Sequence, residues 1–348
     1  MPRRPAAPGS GTLSALELRD VVVEYERRGL EPVRAVAGAS LELGRGQILG
    51  LVGESGCGKS TLARAAVGMV APLAGTIRFE GREVRPLTRG SRPRELARLQ
   101  MVFQNPFSSL NPRRRVGEQI GDAIAVLGLA PRGRRSARVA QLLEQVGLSA
   151  RAARGYPHEF SGGQRQRIAI ARALAANPSV IVLDEPLASL DASAQAQIAN
   201  LLASLARELE LALLLISHDL AIVRHVADTV AVMYLGVIAE TAPTRELWAT
   251  PLHPYTEALI AAVPHADGAG TLPEALPGEV PDPSRPPSGC RFHPRCPYAF
   301  DRCPVEEPDL VELAPARAAA CWLQRPGDSL TTPSAKAESR LARATSPE

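Results

Sequence analysis

An α/β fold is predicted by two observations on this chain. Short apolar runs rich in β-branched residues alternate with longer segments of helical periodicity, which is the pattern of strands joined by helices. These runs are also strand-sized, and none approaches the roughly 18 apolar residues that a membrane-spanning helix needs. Strands are predicted over residues 21–25, 48–52, 76–79, 180–183, 213–216 and 229–233.

The alternation stops between residues 107 and 159. There the periodicity predicts helices over residues 116–127 and 136–146, with no strand between them. The sequence therefore predicts a helical insertion within the sheet domain.

After residue 242 the composition changes again. Ten prolines lie between residues 264 and 304, which is too many for regular elements. We expect a C-terminal extension over residues 243–322. The arm 1–13 and the tail 323–348 are expected to be disordered, because they are rich in small and polar residues and proline.

The overall composition is that of a globular protein. Of the 348 residues, 45% are hydrophobic and 22% charged, with 40 basic and 36 acidic side chains, which excludes a wholly disordered chain. Residues 82–138 carry 13 Arg and four acidic residues, so this region alone exceeds the net charge of +4. Few aromatic residues are interleaved there, which favours a solvated helical surface over a nucleic-acid face.

A phosphate-binding loop is predicted over residues 53–61. The spacing G-x-x-x-x-G-K-S follows an apolar strand and opens a helical segment, 61–70, which is the context that this motif requires. The glycines allow backbone N–H groups to face phosphate oxygens, and the helix adds its positive N-terminus. Lys59 is predicted to neutralise the β- and γ-phosphates and Ser60 to ligate Mg²⁺. The predicted ATP-binding residues of this loop are Gly53, Glu54, Ser55, Gly56, Cys57, Gly58, Lys59, Ser60 and Thr61.

Two carboxylates, Asp184 and Glu185, end the apolar run 179–183. A buried strand would deliver both to the carboxyl edge of the sheet, where ligands bind in open α/β folds. Asp184 is predicted to hold Mg²⁺ through water, and Glu185 to orient or deprotonate an attacking water. The pattern alone also fits a strand with a polar end, and the phosphate-binding loop upstream favours the functional interpretation.

The segment Ser161, Gly162, Gly163 and Gln164 precedes a helical run over residues 168–175. These residues predict either a glycine-assisted helix N-terminus suited to an anion or an ordinary capped helix. Together with the loop upstream, the sequence resembles the ABC-type ATPases, whose signature motif reads Ser-Gly-Gly-Gln. The resemblance implies a head-to-tail dimer in which each signature motif contacts ATP on the opposite P-loop.

The same resemblance implies a P-loop NTPase fold of the ABC type over residues 14–242. Such a nucleotide-binding domain has a RecA-like sheet core and an antiparallel β subdomain, with the helical subdomain at about 107–165. A small irregular C-terminal extension completes the expected fold.

Further positions match the ABC family one by one. Tyr25 matches the aromatic residue that stacks on adenine, although alone it would be read as a strand-face tyrosine. Gln104 matches the Q-loop glutamine near Mg²⁺ and water, Asp191 the D-loop aspartate at the dimer interface, and His218 the switch histidine. The resemblance thus implies catalytic roles for Lys59, Gln104, Glu185 and His218, and Mg²⁺ ligation by Ser60, Gln104 and Asp184.

Three short segments, 108–113, 156–160 and 253–256, look like those of ATPase subunits of bacterial di- and oligopeptide importers. This resemblance implies a peripheral ATPase on the cytoplasmic face of the membrane. Its implied partners are a second, non-identical ABC ATPase, two multispanning permeases and an extracytoplasmic peptide-binding protein, with no nucleic acid. Dipeptide, oligopeptide, glutathione and nickel remain open as cargo.

Four of the five cysteines cluster late in the chain, at Cys290, Cys296, Cys303 and Cys321. The spacing lacks the paired C-x2-C of common zinc sites, but four thiolates suit Zn²⁺ or an iron–sulfur cluster. Segment 289–297 resembles the cysteine segment of the importer extension, which implies a [4Fe–4S] cluster rather than Zn²⁺. Unligated thiols are the alternative.

A soluble ABC ATPase acting on ribosomes or nucleic acid is the alternative class. Such proteins commonly fuse two nucleotide-binding domains or insert a coiled coil, whereas this chain has one P-loop motif and one signature motif. A metal-sensing regulator built on the cysteines is less favoured, as is a small-molecule kinase. The first residues lack the apolar core of a secretory signal, so a cytoplasmic location is expected.

Overall fold

A computed structural model describes residues 14–27, 29–87, 93–105, 109–263 and 278–325. The arm predicted over 1–13 and nearly all of the tail predicted over 323–348 lie outside these residues, as does the first residue of segment 108–113. The strands are β1 (Leu16–Arg27), β2 (Leu30–Leu43), β3 (Ile48–Val52), β4 (Ala74–Phe79), β5 (Arg82–Glu83), β6 (Leu99–Val102), β7 (Val180–Asp184), β8 (Ala212–Ile216), β9 (Thr229–Tyr234), β10 (Val237–Pro243), β11 (Val311–Ala314) and β12 (Arg317–Ala319). The helices are α1 (Lys59–Ala66), α2 (Val116–Val126), α3 (Arg135–Gln145), α4 (Gly162–Leu174), α5 (Ala192–Glu208), α6 (Leu220–Val226), α7 (Thr244–Ala249) and α8 (Pro254–Ala261).

The strands form two sheets. In the larger sheet the order is β11-β12-β10-β9-β3-β8-β7-β6, and the five strands from β9 to β6 are parallel. The smaller sheet has the order β2-β1-β4-β5 and is antiparallel. The prediction of an α/β fold is therefore confirmed, and the structure shows that the core of the larger sheet is parallel.

The parallel core has the sequence character expected for strands covered on both faces. Every residue of β3, β7 and β8 is buried, and these strands are continuous apolar runs rather than alternating ones. Because the strands are parallel, the loops that follow β3, β6, β7 and β8 all leave from the same edge of the sheet. In the sequence, most of the predicted functional residues directly follow these strands, so they lie at this edge of the sheet.

Two helices form the predicted insertion. The predictions over 116–127 and 136–146 are confirmed to within one residue at each end by α2 and α3. Their apolar residues, among them Ile120, Leu142 and Leu143, share one core with Ile168 and Ile170 of α4. The insertion and the helix that begins at the signature motif are therefore packed as one unit.

The helix predicted over 61–70 begins earlier and ends sooner, at Lys59 and Ala66. It stops because Gly68 takes a φ of 76°, a left-handed conformation that ends helices. Several strands, including β2 and β12, were not predicted from the sequence. Strand β2 forms a hairpin with the neighbouring β1, whereas β12 pairs with β10 from a distant part of the chain.

The C-terminal part returns to the main sheet. Strand β12 pairs antiparallel with β10, opposing Ala319 to Glu240 and Ala318 to Thr241. In the described part of the proline-rich segment, 278–304, the regular structure is confined to a single 3₁₀ turn at His293–Arg295. Within the parts of the chain that the structure describes, every helix falls short of the length and apolar character needed to cross a bilayer.

Candidate active site

Residues 53–58 form the loop between β3 and α1, and two of its glycines are required by space. Gly53 has a φ of 151°, and a Cβ there would lie 2.1 Å from the carbonyl oxygen of Met233. Gly58 has a φ of 108°, and a Cβ would lie 2.1 Å from the carbonyl oxygen of Ala35. The loop therefore lies directly against neighbouring backbone, which only glycine permits at these positions.

Lys59 lies within the curl of this loop. Its side chain is 4% exposed, and the Nζ ammonium donates hydrogen bonds to the carbonyl oxygens of Gly53 at 2.7 Å and Glu54 at 2.8 Å. A buried ammonium held by backbone carbonyls is a fixed positive charge at the start of α1. This arrangement suits the neutralisation of phosphate oxygens.

Asp184 connects the strand β7 to the phosphate-binding loop. It is 2% exposed, and its Oδ1 accepts a hydrogen bond of 2.7 Å from the Ser60 hydroxyl. Burial raises the pKa of Asp184 above its ordinary value, and the Ser60 hydrogen bond partly opposes this rise. A hydroxyl beside a carboxylate is a donor set that fits Mg²⁺, which keeps several waters and binds one or two carboxylates together with phosphates.

Glu185 lies between two other predicted catalytic residues, Gln104 and His218. Its Oε2 accepts a hydrogen bond of 3.0 Å from Gln104 Nε2 and lies 3.4 Å from His218 Nδ1. Glu185 has a φ of 45°, an uncommon conformation for a non-glycine residue, and its amide donates to the carbonyl of Ile216. The turn after β7 therefore aims this carboxylate at residues from the ends of β6 and β8.

Tyr25 lies at the outer side of the same region. It is 38% exposed on β1, and its hydroxyl lies 3.5 Å from Thr61 Oγ1 at the start of α1. An exposed aromatic ring near the end of the phosphate-binding loop is available for stacking on a base.

The signature residues form the N-terminus of α4 in a different place. Ser161 caps the helix by accepting from the Gln164 amide at 3.3 Å, and the Gln164 side chain accepts from the Ser161 amide at 2.9 Å. These residues line a surface cavity of about 400 Å³ with Asp191, whose Oδ1 caps α5 through the Ala194 amide at 2.8 Å. None of the residues lining this cavity belongs to the phosphate-binding loop of the same chain.

The predicted cysteine site is not supported by the geometry. In the described residues, His, Cys, Asp and Glu side chains nowhere form a group of three or more placed to bind a metal ion. Cys290 and Cys296 pack against the main core, whereas Cys321 packs with Leu323 and two aromatic residues in a separate cluster. Burial raises the pKa of the Cys290 thiol to about 11 and also raises the pKa of the Cys303 thiol. The thiols as folded do not fit a [4Fe–4S] cluster or Zn²⁺.

Two residues that contact the phosphate-binding loop were missed by sequence reasoning. Arg295 forms a bidentate pair with the Glu54 carboxylate, with N–O distances of 2.7 and 3.0 Å. The Tyr255 hydroxyl accepts a hydrogen bond of 2.9 Å from the Glu54 amide. They lie 241 and 201 positions away from Glu54, and no spacing in the sequence connects them to it.

Comparison with known proteins identifies the family to which this site belongs. Residues 36–188 match the sequence profile of the ABC transporter family, and residues 239–303 match the profile of the oligopeptide/dipeptide transporter C-terminal region. The chain is 48% identical to the di/tripeptide transport ATP-binding protein DppF of Pseudomonas aeruginosa, over 88% of this chain and 97% of the relative. It is 45% identical to the oligopeptide transport ATP-binding protein AppF of Bacillus subtilis, with the same two shares covered.

Solved structures carry the same fold. The chain is similar to cbiO1 of Clostridium perfringens, part of the ABC transporter complex cbiONQ, with a TM-score of 0.60 and 29% identity over 68% of this chain and 91% of that one. It is also similar to an ATP-binding cassette whose dimeric structure shows a post-hydrolysis state bound to ADP and phosphate. The TM-score is 0.59 and the identity 27%, covering 66% of this chain and 99% of that chain. The expected ABC-type P-loop NTPase fold is confirmed.

The fold and site therefore define an ABC-type ATPase. The chain belongs to the ABC transporter ATP-binding proteins, in the group that carries the oligopeptide/dipeptide transporter C-terminal region.

Proposed function

We propose that this ATPase powers the uptake of di- or oligopeptides through an ABC importer. The observation that carries the proposal is the match of residues 239–303 to the oligopeptide/dipeptide transporter C-terminal region. The names of the relatives, a di/tripeptide and an oligopeptide transport ATP-binding protein, support the same cargo class.

ATP binds at the edge of the sheet formed by the residues after β3. The amides of 53–61 and the Lys59 ammonium hold the phosphates, and the exposed ring of Tyr25 stacks on the adenine. Ser60 and Asp184, joined by their 2.7 Å hydrogen bond, would hold Mg²⁺ together with Gln104, with Asp184 acting through water. When bound, Mg²⁺ neutralises charge on the β- and γ-phosphates.

Glu185 orients the attacking water and accepts its proton. The carboxylate has Gln104 on one side and His218 on the other, so these two residues fix its direction and border the space next to it. His218 is 58% exposed in its side chain, which leaves it able to reach the γ-phosphate. Positioning and charge stabilisation account for most of the rate in phosphoryl transfer, so these contacts matter more than covalent chemistry.

ATP is shared between two ATPase subunits. The signature residues and Asp191 line a cavity that contains no residue of their own phosphate-binding loop, which supports contact with ATP bound on another subunit. The second subunit is a non-identical paralogue in this proposal. Two permeases and an extracytoplasmic peptide-binding protein complete the importer at the cytoplasmic face of the membrane, with no nucleic acid involved.

The cysteine segment stays outside this mechanism, because the described residues contain no group of three or more His, Cys, Asp or Glu side chains placed to bind a metal ion. A [4Fe–4S] cluster at Cys290, Cys296, Cys303 and Cys321 is tested by metal analysis of anaerobically purified protein. Iron and sulfide in stoichiometric amounts would require the segment to rearrange around the cluster. Stoichiometric zinc with no iron would instead identify a zinc site. If neither metal is found, the cysteines are unligated thiols.

The test of the function is reconstitution with two permeases and an extracytoplasmic binding protein that co-purify or interact with this chain. We expect ATP hydrolysis to rise when peptide-loaded binding protein is added, and peptide to accumulate in the vesicles. Stimulation by nickel or glutathione instead of peptide would assign another cargo. Co-purification with ribosomes or nucleic acid and no permeases would contradict transport.

A further inference from the structure

The C-terminal extension holds the phosphate-binding loop at two points. Arg295 pairs directly with the side chain of Glu54, and Tyr255 accepts from the backbone amide of the same residue. Glu54 is therefore held by its side chain and by its backbone, and both partners come from beyond residue 250. We propose that Arg295 is a positioning residue for ATP binding, acting through Glu54.

The ion pair between Arg295 and Glu54 is largely buried and bidentate, which restricts the movement of both side chains. The Arg295 side chain is 3% exposed and that of Glu54 17%, and the two N–O distances of 2.7 and 3.0 Å make a fork-to-fork pair. The guanidinium also donates to the Tyr234 hydroxyl at 3.3 Å and lies 5.9 Å from the ring centre of Phe292. Such surroundings leave the guanidinium few alternative positions.

Aromatic packing fixes the position of this contact. The Tyr234 and Tyr255 rings lie 4.6 Å apart between centres, and Phe292 lies 5.4 Å from Tyr234 and 5.3 Å from Tyr255. All three rings are nearly completely buried. Tyr234 belongs to β9, whereas Tyr255 and Phe292 belong to the extension, so this aromatic cluster ties the extension to the sheet core next to Glu54.

A third contact reaches the loop indirectly, through the turn between β9 and β10. Arg291 donates to the carbonyl oxygen of Leu235, and the neighbouring Gly236 amide donates to the carbonyl oxygen of Cys57 at 2.8 Å. Residue 57 is the loop position just before Gly58 and Lys59. The extension therefore supports the beginning of the loop directly and its end through this turn.

Support of this kind matters because the loop binds phosphate mainly through its backbone. The Glu54 carbonyl also accepts from Lys59 Nζ at 2.8 Å, so a shift of Glu54 moves an acceptor that orients the catalytic ammonium. A loop that is already ordered loses less conformational entropy when ATP binds. Loss of Arg295 is therefore expected to weaken ATP binding more than it slows hydrolysis of bound ATP.

The test compares ATP binding in full-length variants, with the fluorescent analogue mant-ATP as the probe, and steady-state hydrolysis in the reconstituted importer. We expect Arg295→Met to raise the Kd and the KM about tenfold and to change kcat less than twofold. Arg295→Lys keeps the charge but not the fork, and we expect an intermediate value. Glu54→Gln/Arg295→Met removes both charges, and we expect it to bind more tightly than Arg295→Met alone, because no carboxylate is left unpaired.

Arg317→Met is the matched control. Arg317 is also a largely buried arginine of the extension, but its partners are Glu246 and Thr250, away from the loop. We expect it to lower the melting temperature without changing the Kd. A folded Arg295→Met with a Kd within twofold of the unmodified chain would overturn the inference, as would an equal rise in Arg317→Met.

The inference rests on ATP binding and not on the peptide cargo, and the experiment separates the two. Failure of the unmodified chain to bind mant-ATP would contradict the proposed function itself. If Arg295→Met does not fold, the positioning role is tested with Arg295→Lys and with the double variant. Kd values for mant-ATP equal to that of the unmodified chain in both variants would exclude this role.

Discussion

The Ser60 hydroxyl donates a 2.7 Å hydrogen bond to Asp184, which joins residues 124 positions apart. One belongs to the first turn of α1 and the other to the last residue of β7, so the contact brings the phosphate-binding loop and the acidic edge of the sheet together. Asp184 also carries the raised pKa of a buried carboxyl group. This combination makes Asp184 a residue for which stability and function are expected to conflict.

Replacing Asp184 with Asn is expected to stabilise the metal-free protein at neutral pH. Because burial raises the pKa of Asp184 in the folded state, the folded state binds more protons than the unfolded state between the ordinary value of 3.8 and the raised value. Stability therefore falls as pH rises through this window, and Asn removes that loss. We expect the melting temperature to rise at pH 7 without Mg²⁺, with the difference shrinking toward pH 4, while hydrolysis of MgATP falls.

Asp301→Asn, at an exposed position, is the control and should leave the melting temperature and the hydrolysis rate unchanged. A lower melting temperature for Asp184→Asn than for the unmodified chain at pH 7 would refute the argument.

Glu185→Gln is expected to bind ATP normally and to lose hydrolysis. The amide keeps the size of the side chain and its contact with Gln104, but it no longer accepts a proton from water. We expect phosphate release to fall about 10²–10³-fold, the range seen when one group that stabilises a transition state is removed. Phosphate release and mant-ATP binding measure the two properties separately. Glu208→Gln, at an exposed end of α5, is the control, and near-normal turnover in Glu185→Gln would exclude Glu185 as the base.

His218→Ala is expected to slow hydrolysis with little change in ATP affinity. Its Nδ1 lies 3.4 Å from Glu185 Oε2, so the imidazole restrains the carboxylate that orients water. We expect kcat to fall by about two orders of magnitude and the stability to change little, since the side chain is 58% exposed. His225 is a suitable comparison, because it lies in α6 and bonds Asn200 at 2.9 Å instead. Equal kcat values in His218→Ala and His225→Ala would remove His218 from the mechanism.

Ser161→Arg is expected to block hydrolysis while leaving ATP binding to the isolated subunit intact. The signature cavity contains no residue of the chain's own phosphate-binding loop, so a bulky charge there interferes with ATP held by another subunit and not with ATP on the same chain. The substitution also removes the Ser161 cap of α4, which is expected to lower the stability slightly. We expect turnover in the assembled importer to fall about 10²-fold and the Kd for mant-ATP to stay within twofold. Ser136→Arg, at an exposed position in α3, controls for the added charge. A large rise in the Kd of Ser161→Arg would contradict the arrangement across two subunits.

The sequence predicted the parts of the site that lie close to their own strands. The residues after β3 and β7 could be assigned because an apolar run followed by glycines or acids specifies a strand and the loop at its end. His218, after β8, was assigned only through the resemblance to the ABC family. The contacts of Glu54 could not, because Tyr255 and Arg295 are brought to it by the packing of α8 and of the extension. The cysteine spacing predicted a cluster that the fold does not assemble, since spacing along the chain does not determine where Cys321 packs.

The pairing of β12 with β10 has a consequence for the integrity of the sheet. Backbone groups of Glu240 and Thr241 are covered by Ala318 and Ala319, and the Glu240 carboxylate holds the amides of Leu252 and His253 at 2.8 Å. A chain cut before β11 would leave β10 as an open edge with unpaired N–H and C=O groups, which is a template for pairing with other chains. A chain shortened in this way is therefore expected to associate through β10 more readily than the chain that keeps β11 and β12.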